Sequence, residues 1–207
     1  MFTLPMAKGW LASLSKVLED NRSRLTDLDA AIGDADHGIN ICRGFAAALA
    51  SVEKENPTDF AALFKLISVA LIKNTGGASG PLYGTFFLKL SLTLTGESAS
   101  PAELYKGFIS GMQGIKQLGH SSPGEKTMLD TFAPAFEAMN KAIDAGEDFK
   151  SIAKALVAAA KSGADSTLPM LATKGRASYL AERSIGHLDP GAVSAYLLLK
   201  TLGEQIS

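Results

Sequence analysis

The chain has 207 residues, of which 46% are hydrophobic and 20% are charged, with a formal net charge of −1. This composition predicts one well-packed domain over residues 1–207 and excludes the disordered class. The near-zero net charge gives no electrostatic basis for binding nucleic acid or an anionic membrane. The sequence has no apolar run of about 18 residues, no secretory signal pattern and a single cysteine, Cys42. We therefore expect a cytoplasmic protein without a membrane span or an internal disulfide.

Residue usage predicts an all-α fold. The chain contains 31 Ala and 27 Leu but only 5 Val. Ala and Leu are strong helix formers, whereas β-branched residues favour strands. Helical periodicity, interrupted at Gly and Pro, divides the chain into eight predicted helices. They span approximately residues 6–24, 39–55, 59–73, 82–95, 100–119, 126–144, 148–165 and 189–204.

Local signals support several of these boundaries. Ser100 and Glu103 form a capping-box pattern, and Asp189 followed by Pro190 is typical of a helix start. Pro134 should kink or interrupt the sixth helix. Since most links are short, consecutive helices should lie antiparallel. The sequence therefore predicts an eight-helix, up-and-down antiparallel bundle or barrel.

Four of the links are rich in glycine and polar residues, and they contain all three histidines. They follow the first, third, fifth and seventh predicted helices, at residues 29–40, 74–84, 119–126 and 174–191. In an antiparallel bundle, alternate loops lie at the same end. We therefore expect these four loops to meet and to form a ligand site at one end of the bundle.

The first of these loops contains a cluster of carboxylates. Asp34 and Asp36 lie between glycines, and Asp29 precedes them. Like charges this close repel one another unless a cation lies between them, and oxygen ligands favour a hard ion such as Mg²⁺. The alternative is a surface turn, since Asp and Gly are common turn residues.

The second loop, residues 76–84, is rich in glycine and precedes a helix. Small residues and a helix N-terminus both favour close approach of an anion. The spacing and lysine of a Walker P-loop are absent, so bound metal ions would have to offset phosphate charge. The alternative is a glycine-rich turn between two helices.

The remaining loops contribute cationic and apolar candidates. Arg176 lies in a long basic loop, where it is suited to pair with a phosphate and stabilise charge during transfer; the alternative is a solvated surface arginine. Met128 and Leu129 are expected in the core, although one of them is suited to line a slot for a flat ring. Asp189 is expected to cap the last helix, which is compatible with a position beside a ligand.

Taken together, these motifs resemble those of the nucleotide-binding L subunits of dihydroxyacetone kinases. The resemblance extends in order along essentially the whole chain. It rests on the segments Gly33-Asp34-Ala35-Asp36-His37-Gly38-Ile39-Asn40, Gly76-Gly77-Ala78-Ser79-Gly80-Pro81-Leu82-Tyr83-Gly84, Gly124-Glu125-Lys126-Thr127-Met128, and residues 175–191 from Gly175-Arg176-Ala177-Ser178 to Asp189-Pro190-Gly191. The chain length is similar to that of freestanding bacterial L subunits that depend on the phosphoenolpyruvate phosphotransferase system.

The resemblance implies an eight-helix antiparallel barrel with a nucleotide at one end. It implies that Asp29, Asp34 and Asp36 coordinate two Mg²⁺ ions and that Arg176 acts in catalysis. The implied nucleotide contacts are His37, Gly38, Ile39, Asn40, Ala78, Ser79, Gly119, Met128, Arg176, Asp189, Pro190 and Gly191. In such subunits ADP remains bound, a donor M subunit rephosphorylates it to ATP, and the phosphoryl group passes to dihydroxyacetone on a K subunit.

Two positions depart from the pattern of the family. Ala181 stands where glycine is expected, which should stiffen the basic loop, and His120 stands where lysine is expected. Three other functions remain open. They are an ATP-dependent kinase domain that exchanges its nucleotide, a non-catalytic nucleotide sensor that binds a regulator, and a structural helical protein with an incidental Asp cluster.

Overall fold

The computed structural model describes residues 1–206, and within this range the chain forms nine α-helices, one 3₁₀ segment and two short strands. The strands are β1 (Phe2–Thr3) and β2 (Ser98–Ala99), and the 3₁₀ segment is Arg176–Ser184. The helices are α1 (Leu4–Asp20), α2 (Arg22–Ile32), α3 (His37–Glu55), α4 (Phe60–Asn74), α5 (Ser79–Thr93), α6 (Pro101–Gly119), α7 (Leu129–Asp144), α8 (Phe149–Ser166) and α9 (Pro190–Ile206). The prediction of an all-α fold is confirmed.

Eight of the helices close into a ring. Each of α3 to α8 packs against the next helix in sequence, and α1 packs between α9 and α3. The ninth helix, α2, lies outside this ring against α3, α9 and the 3₁₀ segment. Among the described residues, no helix is long and apolar enough to cross a lipid bilayer.

The first predicted helix, residues 6–24, is in fact two helices separated at Asn21. The side-chain amide of Asn21 donates to the Val17 carbonyl at 2.8 Å, in competition with the backbone ladder. The chain then resumes as α2 and continues to Ile32. As a result, Asp29 lies in a helix and not in a loop, on the same buried face as Leu25 and Ile32.

Aromatic side chains from α5, α6 and α7 stack on one another in the interior of the ring. The rings of Phe86 and Phe132 stack with centroids 5.2 Å apart, as do those of Phe108 and Phe136. Each is essentially inaccessible to solvent, so burial of these rings contributes strongly to stability. This core fixes the helix ends around which the loops converge.

The predicted boundaries hold to within a few residues at most helices. The capping box is present, since Ser100 Oγ accepts from the Glu103 N–H at 3.2 Å and Glu103 Oε2 accepts from the Ser100 N–H at 2.8 Å. Helix α7 begins at Leu129 and not near Lys126, because Lys126 has a left-handed backbone with φ of 62°. Pro134 lies within α7 without interrupting it.

Candidate functional site

The four glycine-rich loops meet at one end of the ring and enclose a cavity of about 450 Å³. This volume is typical of a small-molecule site. All predicted site residues except two line the cavity. The predicted residues that line it are Asp29, Asp34, Asp36, His37, Asn40, Ala78, Ser79, Gly119, Met128, Arg176, Asp189, Pro190 and Gly191.

The two exceptions are Gly38 and Ile39, which do not line the cavity. Gly38 faces α2, where a Cβ atom would lie 2.2 Å from the Arg22 carbonyl oxygen. Its lack of a side chain therefore lets α2 and α3 approach each other closely. The side chain of Ile39 is about half exposed.

The carboxylates of Asp29, Asp34 and Asp36 form a compact cluster. One oxygen from each lies within 4.8 Å of the others. Asp29 Oδ2 accepts backbone N–H bonds from Asp36 at 2.8 Å and His37 at 3.1 Å. These bonds fix the turn between α2 and α3 and direct the three side chains toward one point.

This cluster fits a hard divalent cation. It supplies several carboxylate oxygens to one small volume, which is the donor set that Mg²⁺ prefers. Gly33 leaves room for it, because a Cβ atom there would lie only 2.1 Å from Asp29 Oδ1. Arg176 also contributes positive charge, since its guanidinium lies 2.9 Å from Asp34 Oδ2. The arginine is 68% exposed and therefore free to exchange Asp34 for another anion.

Three helices begin at the cavity. The first residues of α3, α5 and α9 (His37, Ser79 and Pro190) all line it. A helix N-terminus carries partial positive charge and unpaired N–H groups, so the three together favour an anion. Lys174 lines the cavity as well. Because the chain has no P-loop lysine, these groups and a bound cation are the available partners for phosphate.

The glycine-rich segment that includes the loop before α5 and the first turn of α5 packs tightly against α3 and the residue that follows α4. A Cβ atom on Gly76 would lie 2.6 Å from Asn40 Oδ1, and one on Gly80 would lie 2.6 Å from the Thr75 carbonyl oxygen. Asn40 is itself fixed, because its Oδ1 accepts from the Arg43 guanidinium at 2.8 Å. The glycines therefore bring backbone N–H groups up to the cavity without side chains in between.

One side of the cavity is apolar. Met128 lines it together with Leu82, Ile115 and Leu118, whereas Leu129 lies wholly in the core. The expectation that one of Met128 and Leu129 faces a slot thus applies to Met128. Leu82, Ile115 and Leu118 were not singled out from the sequence, because their spacing is that of ordinary core positions.

Asp189 caps α9, is half-buried and lines the cavity. Its Oδ2 accepts from the Ala192 N–H at 2.7 Å. Burial raises the pKa of Asp189 to about 7, although the Ala192 hydrogen bond and the positive charge of Lys126 oppose that shift. A cation in the cavity would favour the ionised form of this carboxylate.

Lys126 was not predicted to act at the site, yet it organises the basic loop. Its side chain is almost fully buried, and its ammonium group donates to the carbonyl oxygens of Thr167, Met170 and His187. Burial lowers the pKa of Lys126. The lysine thereby ties the chain after α8 to the start of α7, and it holds the segment that carries Arg176 beside the carboxylates.

Comparison with known proteins agrees with this geometry. The profile of the DAK2 domain family matches residues 31–204. This chain belongs to the DAK2 domain family. The resemblance predicted from the motifs is therefore confirmed.

Several DAK2 relatives are similar over nearly their whole length. The ADP-binding subunit DhaL of PEP-dependent dihydroxyacetone kinase 1 from Listeria innocua is 40% identical, covering 93% of this chain and 92% of that protein. The corresponding DhaL of Escherichia coli is 39% identical with the same coverage. The DhaL subunit of the PTS-dependent enzyme of Lactococcus lactis is 35% identical over the full length of both chains.

Solved structures share the fold. The native dihydroxyacetone kinase of C. freundii superposes with a TM-score of 0.72 at 26% identity, covering 95% of this chain but 34% of that one. A second structure of the same enzyme, in complex with AMP-PNP and Mg²⁺, gives the same TM-score at 25% identity.

The two departures from the family pattern both lie at left-handed backbone positions. Ala181 has φ of 49° and ψ of −127°, and His120 has φ of 46° and ψ of 43°. The conformation of Ala181 is one that glycine adopts freely and that an L-residue adopts at a cost. The expectation of glycine there thus has a physical basis, and alanine introduces local strain.

Replacing Ala181 by glycine should stabilise the protein. We expect Ala181→Gly to raise the free energy of unfolding by about 1 kcal/mol, because relief of backbone strain outweighs the greater entropy of the unfolded chain. Denaturant unfolding measures this change. The matched control is Ala158→Gly in the exposed face of α8, which should lower the stability by about 1 kcal/mol. Equal destabilisation by both substitutions would contradict the inference that the backbone of Ala181 is strained.

Proposed function

We propose that this chain is the ADP-binding subunit of a PEP-dependent dihydroxyacetone kinase. In this proposal it holds ADP and two Mg²⁺ ions, a donor subunit of the phosphotransferase system rephosphorylates the ADP, and the phosphoryl group passes to dihydroxyacetone on a partner K subunit. The names of relatives at 39–40% identity support the proposal. The observation that carries it is a three-carboxylate cluster that lines the same cavity as three helix N-termini.

The two sides of the cavity suit the two ends of a nucleotide. The apolar side with Met128 is suited to the adenine ring, which has flat faces to be buried. The side with Asp29, Asp34 and Asp36 is suited to Mg²⁺, and the helix N-termini nearby are suited to phosphates. We assign the base to the first side and the phosphates to the second.

The residues of the chain then act chiefly by positioning and by stabilising charge, which is what phosphoryl transfer requires. Magnesium, when bound, neutralises phosphate oxygens. Arg176 exchanges its ion pair with Asp34 for one with a transferring phosphoryl group, since its guanidinium is exposed and already lies at the carboxylate cluster. The α5 N-terminus and Ser79 donate hydrogen bonds to the phosphates, and Asp189 caps the N-terminus of α9.

A second candidate is an ATP-dependent kinase domain that exchanges its nucleotide in every cycle. The structural match to a kinase complexed with AMP-PNP, an ATP analogue, favours it. The higher identity to ADP-binding subunits favours the first candidate. The two candidates differ in the fate of ADP and not in its binding site.

Asp34→Asn should weaken Mg²⁺-dependent ADP binding at least tenfold, because it removes one charged ligand from the cluster. Asp34 is exposed and pairs with Arg176, so the fold should be unaffected. Titration calorimetry with and without Mg²⁺ measures the binding. Asp27→Asn, on the exposed face of α2, is the control and should bind like the wild type. Unchanged binding in Asp34→Asn would contradict the metal assignment, and full transferase activity in that variant would favour a sensor.

Bound ADP should persist through many catalytic cycles. With radiolabelled ADP on this chain, unlabelled ADP in solution and the K and donor subunits supplied, we expect label to remain on the protein while dihydroxyacetone phosphate accumulates. Retained label should be measured by rapid filtration after successive turnovers. Loss of one equivalent of label per product molecule would favour the exchanging ATP-dependent kinase.

A further inference from the structure

Four polar side chains, three of them buried and the fourth, Ser79, half-buried, form a connected row that begins at the cavity. Ser79 Oγ lies 3.2 Å from His37 Nδ1, and His37 Nε2 lies 3.0 Å from Ser194 Oγ. Ser194 Oγ lies in turn 2.8 Å from the Tyr83 hydroxyl. The row links α5, α3 and α9, and only its first two members line the cavity.

The donors available allow two arrangements of the hydrogen bonds along this row. Tyr83 is buried and keeps its proton, because burial raises the pKa of its hydroxyl. Its acceptors within reach are Ser194 Oγ at 2.8 Å and the Gly191 carbonyl at 3.5 Å, so it donates to Ser194. Ser194 then has one proton, which goes either to the Gly191 carbonyl at 3.0 Å or to His37 Nε2 at 3.0 Å.

The two possible acceptors of the Ser194 proton lead to two arrangements, which differ in whether Ser79 can donate a hydrogen bond into the cavity. If Ser194 donates to Gly191, His37 is protonated on Nε2, and its Nδ1 accepts the proton of Ser79. If Ser194 donates to His37 Nε2, the histidine is protonated on Nδ1 and donates to Ser79 Oγ. The hydroxyl proton of Ser79 then points into the cavity. Only the second state offers a donor to an anion.

We propose that Ser194 and Tyr83 are positioning residues that hold His37 in the Nδ1-protonated tautomer when a phosphate occupies the cavity, so that Ser79 donates to that phosphate. This inference rests on the proposed function, since it takes the anion to be the phosphate of ADP. Tyr83 favours this state because its donation occupies one acceptor site of Ser194 and makes the Ser194 hydroxyl a better donor. Ser194 and Tyr83 act only through His37 and Ser79.

The test is the tautomer of His37, read from the ¹⁵N shifts of its imidazole in the full-length protein. His37 is identified as the histidine signal that remains after His120→Gln and His187→Gln, both of which lie at exposed positions. With ADP and Mg²⁺ added, we expect the wild type to show a protonated Nδ1 and an unprotonated Nε2. Ser194→Ala should move the proton to Nε2 and weaken ADP binding about tenfold. Tyr83→Phe, which keeps the edge contact with Phe45, should shift the tautomer in the same direction by a smaller amount.

Ser68→Ala is the matched control. Ser68 is equally buried and donates to the Gly84 carbonyl at 2.7 Å, but it is not part of the row. It should lower stability without changing the tautomer or ADP binding. An Nε2-protonated histidine in the ADP-bound wild type, or an unchanged tautomer in Ser194→Ala, would overturn this inference and leave the proposed function standing. Absence of Mg²⁺-dependent ADP binding by the wild type would overturn both.

Discussion

The rest of the site depends on the hydrogen bonds that the carboxylate of Asp29 accepts. It is buried at the end of α2, and one of its oxygens accepts the backbone N–H groups of Asp36 and His37. These two bonds close the turn into α3 and gather three negative charges into a small volume. Such a cluster is stable only with compensating positive charge, which Arg176, helix N-termini and a divalent cation can supply.

The topology of the ring explains why the loops that form the candidate site all lie at one end of the molecule. Alternate connections of an up-and-down ring lie at the same end, and those four connections contain Asp34 and Asp36, the glycine-rich loop, Met128 and Arg176. The opposite end is closed by the short pairing of β1 with β2. A nucleotide site assembled from distant parts of the sequence thus needs no P-loop, because the four loops together supply metal ligands, backbone donors, an apolar surface and a cation.

The sequence predicted the fold class, the convergence of the loops and the carboxylate cluster. The fold class follows from composition, the convergence from the alternation of loops between the two ends of the bundle, and the cluster from a local motif. It did not predict the break at Asn21, which depends on a side-chain bond to a single carbonyl. Nor did it predict Lys126, whose carbonyl partners lie 41 to 61 residues away. The contact between His37 and Ser194 spans 157 residues. Such long-range partners are set by helix packing and leave no pattern in a single sequence.

The most direct test of the central claim is the intact mass of the native protein, measured by nondenaturing mass spectrometry after purification in Mg²⁺. We expect a retained mass equal to the chain plus ADP and two Mg²⁺ ions, which reverts to the chain alone after treatment with a chelator. A chain that has neither nucleotide nor metal, even after incubation with ADP and Mg²⁺, would contradict the assignment of this cavity to ADP and Mg²⁺.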